Sequence, residues 1–147
     1  MIVHSEAGFT LIELLIVIAI IGILVAITIP ALIGAQKRSY DTGAQACAKS
    51  IETVQGISQI DRKTYMMVGT GPESLNSLTD GVNAACKSEN VYIKDRSLAT
   101  TLVSQYAIDV WNRRGSRVFT VTPTALSADM PGATAFSDTG AGGTHLP

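Results

Sequence analysis

Histidine and cysteine are scarce in this chain, and neither sign of charge dominates it. The 147 residues include two histidines, His4 and His145, so a serine or cysteine nucleophile has almost no general base to activate it. The sequence contains no P-loop, no dinucleotide glycine pattern and no zinc-ligand spacing. The formal net charge of −1 gives no reason to expect nucleic-acid binding. We therefore expect no enzyme activity, no metal ion and no cofactor.

The two cysteines, Cys47 and Cys86, do not form a CxxC motif. In an exported chain such a pair can form a disulfide, because oxidising compartments permit one. Two separate buried thiols are the alternative, and the sequence leaves both open.

Charge is also missing from Leu14–Ile27, which reads LLIVIAIIGILVAI. The flanks extend this apolar run to Phe9–Ile33, which exceeds the roughly 20 helical residues that cross a bilayer. A buried core helix is one alternative, but a helix apolar on all sides needs a larger protein around it. A cleaved secretory signal is another, but Met1–Gly8 has no Lys or Arg and no small-residue cleavage site follows the run. We predict a retained membrane-spanning helix.

Two kinds of residue interrupt the apolar run. Glu13 is a carboxylate near one end, and an acid in lipid costs on the order of a few kcal/mol, so a functional role is expected. Pro30 removes a helix hydrogen bond, with Gly22 and Gly34 on either side of it. We predict that the helix can bend or locally unwind at Gly22, Pro30 and Gly34.

The segment Gly8-Phe9-Thr10-Leu11-Ile12-Glu13, with the apolar run after it, resembles the class III signal of type IV prepilins and type II secretion pseudopilins. The resemblance covers roughly the first 40 residues. It implies that residues 1–8 are a leader, that a prepilin peptidase cuts between Gly8 and Phe9, and that Phe9 is N-methylated. It also implies that Glu13 guides docking, because the new amine of one subunit can neutralise the carboxylate of a neighbour.

The leader departs from the family pattern, because Met1–Gly8 lacks a basic residue and the nearest are Lys37 and Arg38. A count of positive charges would put the Lys37 end in the cytoplasm. The resemblance implies the opposite orientation, with the leader in the cytoplasm, and we follow the more specific cleavage motif. The missing basic residue leaves open whether the leader is complete. The implied locations are the inner membrane for the precursor and an extracellular pilus after assembly.

Beyond the apolar run the hydrophobic period changes. Apolar residues recur at steps of three or four and predict an amphipathic helix to about Ile60: Tyr40, Ala44, Cys47, Ile51, Val54 and Ile57. We interpret this stripe as a core face. The chain is thus divided into a leader (1–8), a hydrophobic transmembrane and assembly helix (9–33) and a small globular head (34–147) that includes the second half of the long helix.

The rest of the head predicts a small antiparallel sheet of three or four strands. Candidate strands are Val91–Ile93, Gln105–Trp111, with Tyr106, Ile108 and Val110 on one face, and Arg117–Thr122. Asn112–Ser116 is the predicted hairpin loop, in which Gly115 supplies a left-handed position. The fold class is α+β: a long N-terminal helix, membrane-spanning in its first half, packed on the sheet as in the pilin fold.

The connecting segments are less regular. Asp61–Cys86 is predicted to be rich in turns, with a short helical turn at Glu73–Leu78. Leu98–Val103 fits either a strand or a short helix. The tail from Ser127 is predicted to be irregular coil, flexible at Asp138–Gly143.

Two surface features are candidate binding sites. Asp129 and Asp138, with nearby carbonyls, are a candidate calcium site of the kind some pseudopilins have, but a solvated turn is preferred. Arg113, Arg114 and Arg117 are a small basic cluster that could touch DNA or an acidic neighbour, but a solvated hairpin tip is preferred.

The leading hypothesis is a structural subunit of a type IV pilus-like filament that serves adhesion, twitching motility or DNA uptake. The implied partners are identical or homologous pilin subunits in a helical homopolymer, the prepilin peptidase, an inner-membrane assembly platform, and the bilayer before assembly; no direct nucleic-acid contact is expected. One alternative is a pseudopilin of a type II secretion or competence machine. Another is a membrane-tethered domain that stays monomeric and binds a ligand.

Overall fold

The computed structural model describes residues 8–130 and 142–147. The chain divides into two compact units, Met1–Ala35 and Gln36–Pro147. One helix, α1 (Leu11–Arg62, 52 residues), runs through the boundary. The long helix predicted to end near Ile60 is therefore confirmed.

The apolar part of α1 leaves its large side chains exposed, from Leu11 at 81% to Val25 at 43%. By length and composition α1 is able to cross a membrane, because its most apolar window has a mean hydropathy of 3.0. None of that window is buried against the rest of the described chain. The described part of the chain does not cover these apolar side chains, so lipid or other subunits would have to cover them.

The second unit combines the rest of α1 with a four-stranded antiparallel sheet. The sheet consists of β1 (Val91–Asp95), β2 (Ile108–Asn112), β3 (Val118–Val121) and β4 (Leu126–Asp129), in the order β1-β2-β3-β4. A short 3-10 helix, Ala84–Lys87, precedes β1 and is capped by the side chain of Asn83. The predicted α+β fold, a long helix packed on a small antiparallel sheet, is confirmed.

The core lies between α1 and one face of the sheet. Alternation along β2 directs Ile108 and Val110 into the core, and both side chains are fully buried. Tyr106, just before the strand, joins the same cluster, as predicted. The helix contributes Ala44, Cys47, Ala48, Ile51 and Val54.

The predicted apolar stripe of α1 leaves the core at both ends: its first member, Tyr40, is only half-buried and outside the core cluster, and its last member is exposed. Ile57 is 52% exposed, whereas the polar neighbours Gln55 and Ser58 are buried. The reason is the returning chain, which presents its backbone to this face of the helix. Gln55 donates to the Met66 carbonyl at 2.6 Å and accepts from the Met66 N–H at 2.8 Å, and Ser58 donates to the Thr64 carbonyl at 2.8 Å. Buried polar side chains are favourable here because they satisfy backbone groups that would otherwise lack partners.

The helical turn predicted at Glu73–Leu78 is also wrong. Side chains there take the backbone donors that a helix would use: Asn76 N–H donates to Thr79 Oγ1, and Leu78 N–H donates to Asn76 Oδ1. The segment instead forms turns around an isolated bridge between Val68 and Leu75.

Two further segments differ from their predictions. Leu98–Val103 is neither strand nor helix but a pair of turns, closed by Thr101 N–H on the Leu98 carbonyl and Ser104 N–H on the Thr101 carbonyl. The tail is not coil throughout, because a turn at Thr122–Ala125 reverses the chain and allows β4 to pair with β3. Most of the predicted flexible stretch Asp138–Gly143 lies outside the described residues.

The loop between β2 and β3 is held against α1 by one carboxylate. Asp41, only 8% exposed, accepts the Ser116 N–H at 2.7 Å, the Ser116 hydroxyl at 2.7 Å and the Arg117 N–H at 3.0 Å. Gly115 does not have the positive φ that the sequence predicted. A side chain is excluded there because its Cβ would collide with the Asp41 carboxylate and approach the Asn112 carbonyl at 3.3 Å. Glycine is required here because there is no room for a side chain, and not because of its backbone conformation.

Cys47 and Cys86 are bonded in the structure and join the middle of α1 to the 3-10 helix, with their Cα atoms 4.9 Å apart. Both residues belong to the core. The connector between them is thereby closed into a loop with a sequence separation of 39.

The outer face of the sheet holds a partly buried ion pair. The Asp109 side chain is fully buried and receives Arg96 Nε and Nη2, each at 2.8 Å, and the Thr120 hydroxyl at 2.7 Å. The hydrogen bonds to Asp109 raise the pKa of Arg96 above its ordinary value. A buried carboxylate with three donors is stable where it would be costly alone.

Replacing Asp41 by Asn should destabilise the head by about 2–3 kcal/mol, because an amide cannot accept from all three donors and brings its own donors towards them. Urea unfolding of the full chain in detergent micelles, followed by fluorescence of its single tryptophan, measures this change. Asp61→Asn, an exposed acid near the end of α1, is the control and should shift the midpoint little. Equal midpoints for the two variants would refute the role of Asp41.

Removing the disulfide with Cys47→Ala and Cys86→Ala together should lower the free energy of unfolding by about 4 kcal/mol, because the open chain gains loop entropy on unfolding. Denaturant midpoints with and without a reductant provide the measurement. The reductant should shift the wild type towards the double variant and leave the double variant unchanged. A wild type insensitive to a reductant that removes the bond, checked by thiol titration, contradicts the prediction.

Candidate functional site at the N-terminal segment

The start of α1 is closed by a reciprocal hydrogen-bonded cap. Thr10 immediately precedes the helix, and its hydroxyl oxygen accepts the Glu13 N–H at 3.3 Å. In return, Glu13 Oε2 accepts the Thr10 N–H at 2.9 Å and the Thr10 hydroxyl at 2.7 Å. This is a capping box, which satisfies helix N–H groups that have no partner within the helix. It also places the carboxylate at the positive end of the helix dipole.

The cap gives the Glu13 carboxylate a defined position in an otherwise apolar segment. Both hydrogen bonds go to Oε2, and within residues 8–130 and 142–147 Oε1 accepts none. One carboxylate oxygen is therefore held by the chain itself while the other can meet a second donor. An amine on a neighbouring chain is a donor of the kind that this oxygen can accept.

The link between Thr10 and Glu13 was readable from the sequence but was not predicted. A threonine followed three residues later by a glutamate, just before an apolar run, is the signature of a capping box. The sequence-based interpretation gave Glu13 a partner in another subunit and overlooked the one in its own chain.

The three residues predicted to loosen the helix all lie inside α1, which is continuous through them. Pro30 has no N–H for the carbonyl four residues earlier, and Thr28 donates to the Leu24 carbonyl one turn before it. At Gly22 and Gly34, an added Cβ would meet no atom within 4 Å. No contact among the described residues explains these two glycines, and loosening in another environment stays a prediction.

The other candidate sites are less developed. No cluster of metal-ligating side chains occurs in the described ranges. Asp129 accepts the Ser127 hydroxyl at 3.3 Å, and Asp138 lies outside those ranges. A groove of about 600 Å³ beside the end of α1, lined by Val54, Ile57, Met66 and Leu78 among others, is large enough for a small ligand.

Comparison with known proteins bears on the N-terminal segment. Residues 3–29 match the family model described as the prokaryotic N-terminal methylation motif. The N-terminal segment of this chain is similar to that of type IV pilins and type II secretion pseudopilins. The motif includes the Gly8–Phe9 junction and Glu13, and together with the apolar helix it indicates a membrane-anchored precursor.

Three relatives illustrate the range of the family. The chain is 53% identical over 62 residues to the type IV wide pilus major component PilA4 of Thermus thermophilus, covering 42% of this chain and 47% of the relative. It is 45% identical over 82 residues to the type IV major pilin protein PilA of Myxococcus xanthus, covering 53% and 37%. It is 31% identical over 71 residues to the type II secretion system core protein G of Escherichia coli, covering 48% and 49%.

The chain spans about half the length, or less, of these relatives. By name, these relatives are components of type IV pili or of a type II secretion system.

Replacing Thr10 by Ala should weaken the first turn of α1 by about 1 kcal/mol, because the N-cap acceptor and the hydroxyl donor to Glu13 are lost while the backbone N–H donor remains. Hydrogen exchange of the amides of residues 11–14 in detergent micelles should quicken about fivefold. Thr28→Ala is the matched control, because its hydroxyl bonds only helix carbonyls and caps no N–H. Unchanged exchange at residues 11–14 in Thr10→Ala would exclude the capping box.

Proposed function

We propose that this chain is a structural subunit of a type IV pilus-like filament, processed between Gly8 and Phe9, N-methylated on Phe9 and assembled through its N-terminal helix. The observation that carries this proposal is a capped carboxylate, Glu13, at the start of an apolar helix that nothing in residues 8–130 and 142–147 covers. The methylation motif over residues 3–29 supports the processing step.

The chemistry of docking follows from the residues. Cleavage after Gly8 creates an α-amino group on Phe9, two residues before the first residue of α1. In an apolar filament core, that cation on one subunit neutralises the Glu13 carboxylate of its neighbour. Two unit charges about 4 Å apart attract by about 4 kcal/mol at an effective dielectric of 20. Desolvation offsets much of this attraction, so the pair mainly sets the register between subunits.

The apolar faces supply the rest of the assembly energy. Before assembly the bilayer covers the side chains between Phe9 and Ile33, and afterwards neighbouring helices cover them. The proposed partners are therefore further pilin subunits, the prepilin peptidase and an inner-membrane assembly platform. The precursor resides in the inner membrane and the assembled subunit in an extracellular pilus. Loosening at Gly22, Pro30 and Gly34 would let the helix adjust to its neighbours.

A second candidate keeps this architecture but changes the machine. The similarity to type II secretion core protein G, and to the competence protein ComGC of Halalkalibacterium halodurans at 36% identity over 58 residues, favours a pseudopilin. A tethered domain that stays monomeric is a third candidate, and the groove beside the end of α1 would be its ligand site.

Substitution of Glu13 tests assembly. Glu13→Ala should reduce surface filaments, or secretion or uptake if the chain is a pseudopilin, by about tenfold or more, the factor that a loss of 1.4 kcal/mol per subunit contact produces. Glu13→Gln keeps an acceptor for Thr10 and removes the charge, so it separates register from helix capping. Glu73→Ala, an exposed acid in the head, is the control. Normal assembly of Glu13→Ala would favour the monomeric tethered domain.

Intact-mass measurement of the surface protein tests processing. The main species should begin at Phe9 and carry one added methyl group, and Gly8→Val should accumulate in the membrane as the uncut precursor, because a bulky residue blocks the junction. A surface form that begins at Met1 would refute cleavage while leaving the assembly test independent.

A further inference from the structure

We propose that five cations at the start of the head bind the phosphate groups of anionic phospholipids while the chain is in the bilayer. We call this set the basic collar: Lys37, Arg38, Arg113, Arg114 and Arg117. The inference rests on the proposed function in one respect, which is that the apolar run spans a membrane.

The first two members of the collar follow the apolar run directly. Lys37 and Arg38 come four and five residues after Ile33, and α1 is helical throughout this stretch. At 1.5 Å per residue they lie about 6–8 Å further along the helix. Each headgroup layer of a bilayer is about 5–8 Å thick, so this is the depth of the lipid phosphates.

The other three members come from the distant loop between β2 and β3, and the fold brings them to the same level of the helix. Asp41 holds this loop through the backbone N–H groups of Ser116 and Arg117. The Arg114 guanidinium lies over the Tyr40 ring, 5.7 Å from its centroid. Tyr40 and Asp41 are within one helical turn of Lys37 and Arg38, so the loop adds its arginines to the two cations of the helix.

The collar retains its charge for an outside partner. All five side chains are exposed, and within the described part of the chain none forms a salt bridge. By contrast, Lys49 and Arg96 are each paired with a carboxylate. The acids nearest in the sequence or through hydrogen bonds are Asp41, Asp109, Glu89 and Asp129, and Asp109 is already paired with Arg96. Asp41 is buried and already accepts three hydrogen bonds, so the five cations outnumber the available acids.

Guanidinium groups suit phosphate, because two parallel N–H donors match two of its oxygens. Basic clusters next to a membrane helix gain affinity for anionic lipid with each added Lys or Arg. DNA carries the same phosphate chemistry, but the collar's position beside the end of the membrane-spanning run favours lipid headgroups.

Lipid selectivity of the full chain reconstituted in vesicles tests the inference. Electron spin resonance measures the fraction of motionally restricted lipid for spin-labelled phosphatidylglycerol and, separately, phosphatidylcholine. The wild type should associate with phosphatidylglycerol about fivefold more strongly than with phosphatidylcholine, and the triple variant R113Q/R114Q/R117Q should bring that ratio below about twofold. Salt at about 0.5 M or above should lower the wild-type ratio to a similar extent as the triple variant does, because it screens the attraction between the collar and the lipid phosphates.

A variant with the same change of net charge is the matched control. K49Q/R62Q/K63Q removes three exposed cations, two from the later part of α1 and one from the residue that follows it, and should keep the wild-type ratio. The Cys47–Cys86 bond and the tryptophan emission, compared across all variants, report whether the head is folded.

Each remaining outcome overturns the inference. A wild-type ratio near one with restricted lipid present refutes the collar but leaves the membrane span intact. Equal ratios for the two triple variants show that net charge, not the collar, attracts lipid. Collar-dependent binding of duplex DNA to phosphatidylcholine vesicles, with no lipid selectivity, assigns the surface to DNA. Absence of restricted lipid of either kind refutes the span itself and, with it, the proposed function.

Discussion

Packing of one stripe of α1 against the sheet is the interaction on which the rest of the head depends. Ala44, Cys47, Ala48 and Ile51 have no exposed surface, and they meet a sheet face built by alternate residues of β1, β2 and β3. Burial of this apolar area supplies the main driving force for folding the head.

Three polar or covalent links fix different parts of the chain to that helix. Asp41 secures the loop between β2 and β3, Cys47 secures the 3-10 helix through Cys86, and Gln55 secures the chain that returns after α1. Each link anchors a loop that has little regular structure of its own. Because hydrophobic packing is non-directional, these directional contacts decide where the loops sit.

The first half of α1 has a different role from the second half, because its apolar side chains face outwards on all sides. Glu13 is tolerated there because Thr10 satisfies one of its oxygens within the chain. The remaining oxygen is suited to the amine that cleavage would create on a neighbour. Thus the helix start serves both stability and the proposed docking. The basic collar, if occupied by lipid before assembly, would have to release it when neighbouring helices replace the bilayer.

The sequence by itself determined the features that depend on local periodicity. A run without charge, a stripe at steps of three or four and the alternation through Tyr106, Ile108 and Val110 each reflect the geometry of one element, so α1 and the strands β1, β2 and β3 were predictable. The capping box was equally local and could have been read from Thr10 and Glu13.

Only the tertiary structure decided the features that join distant residues. Asp41 meets Ser116 across 75 positions, which explains Gly115 by space instead of by its φ angle. Gln55 is buried and Ile57 exposed because Met66 returns to the helix, and β4 forms because β3 offers it an edge. No local pattern encodes such partners. The bond between Cys47 and Cys86, and the gathering of three loop arginines beside Lys37 and Arg38, likewise arise from how the chain folds back on α1.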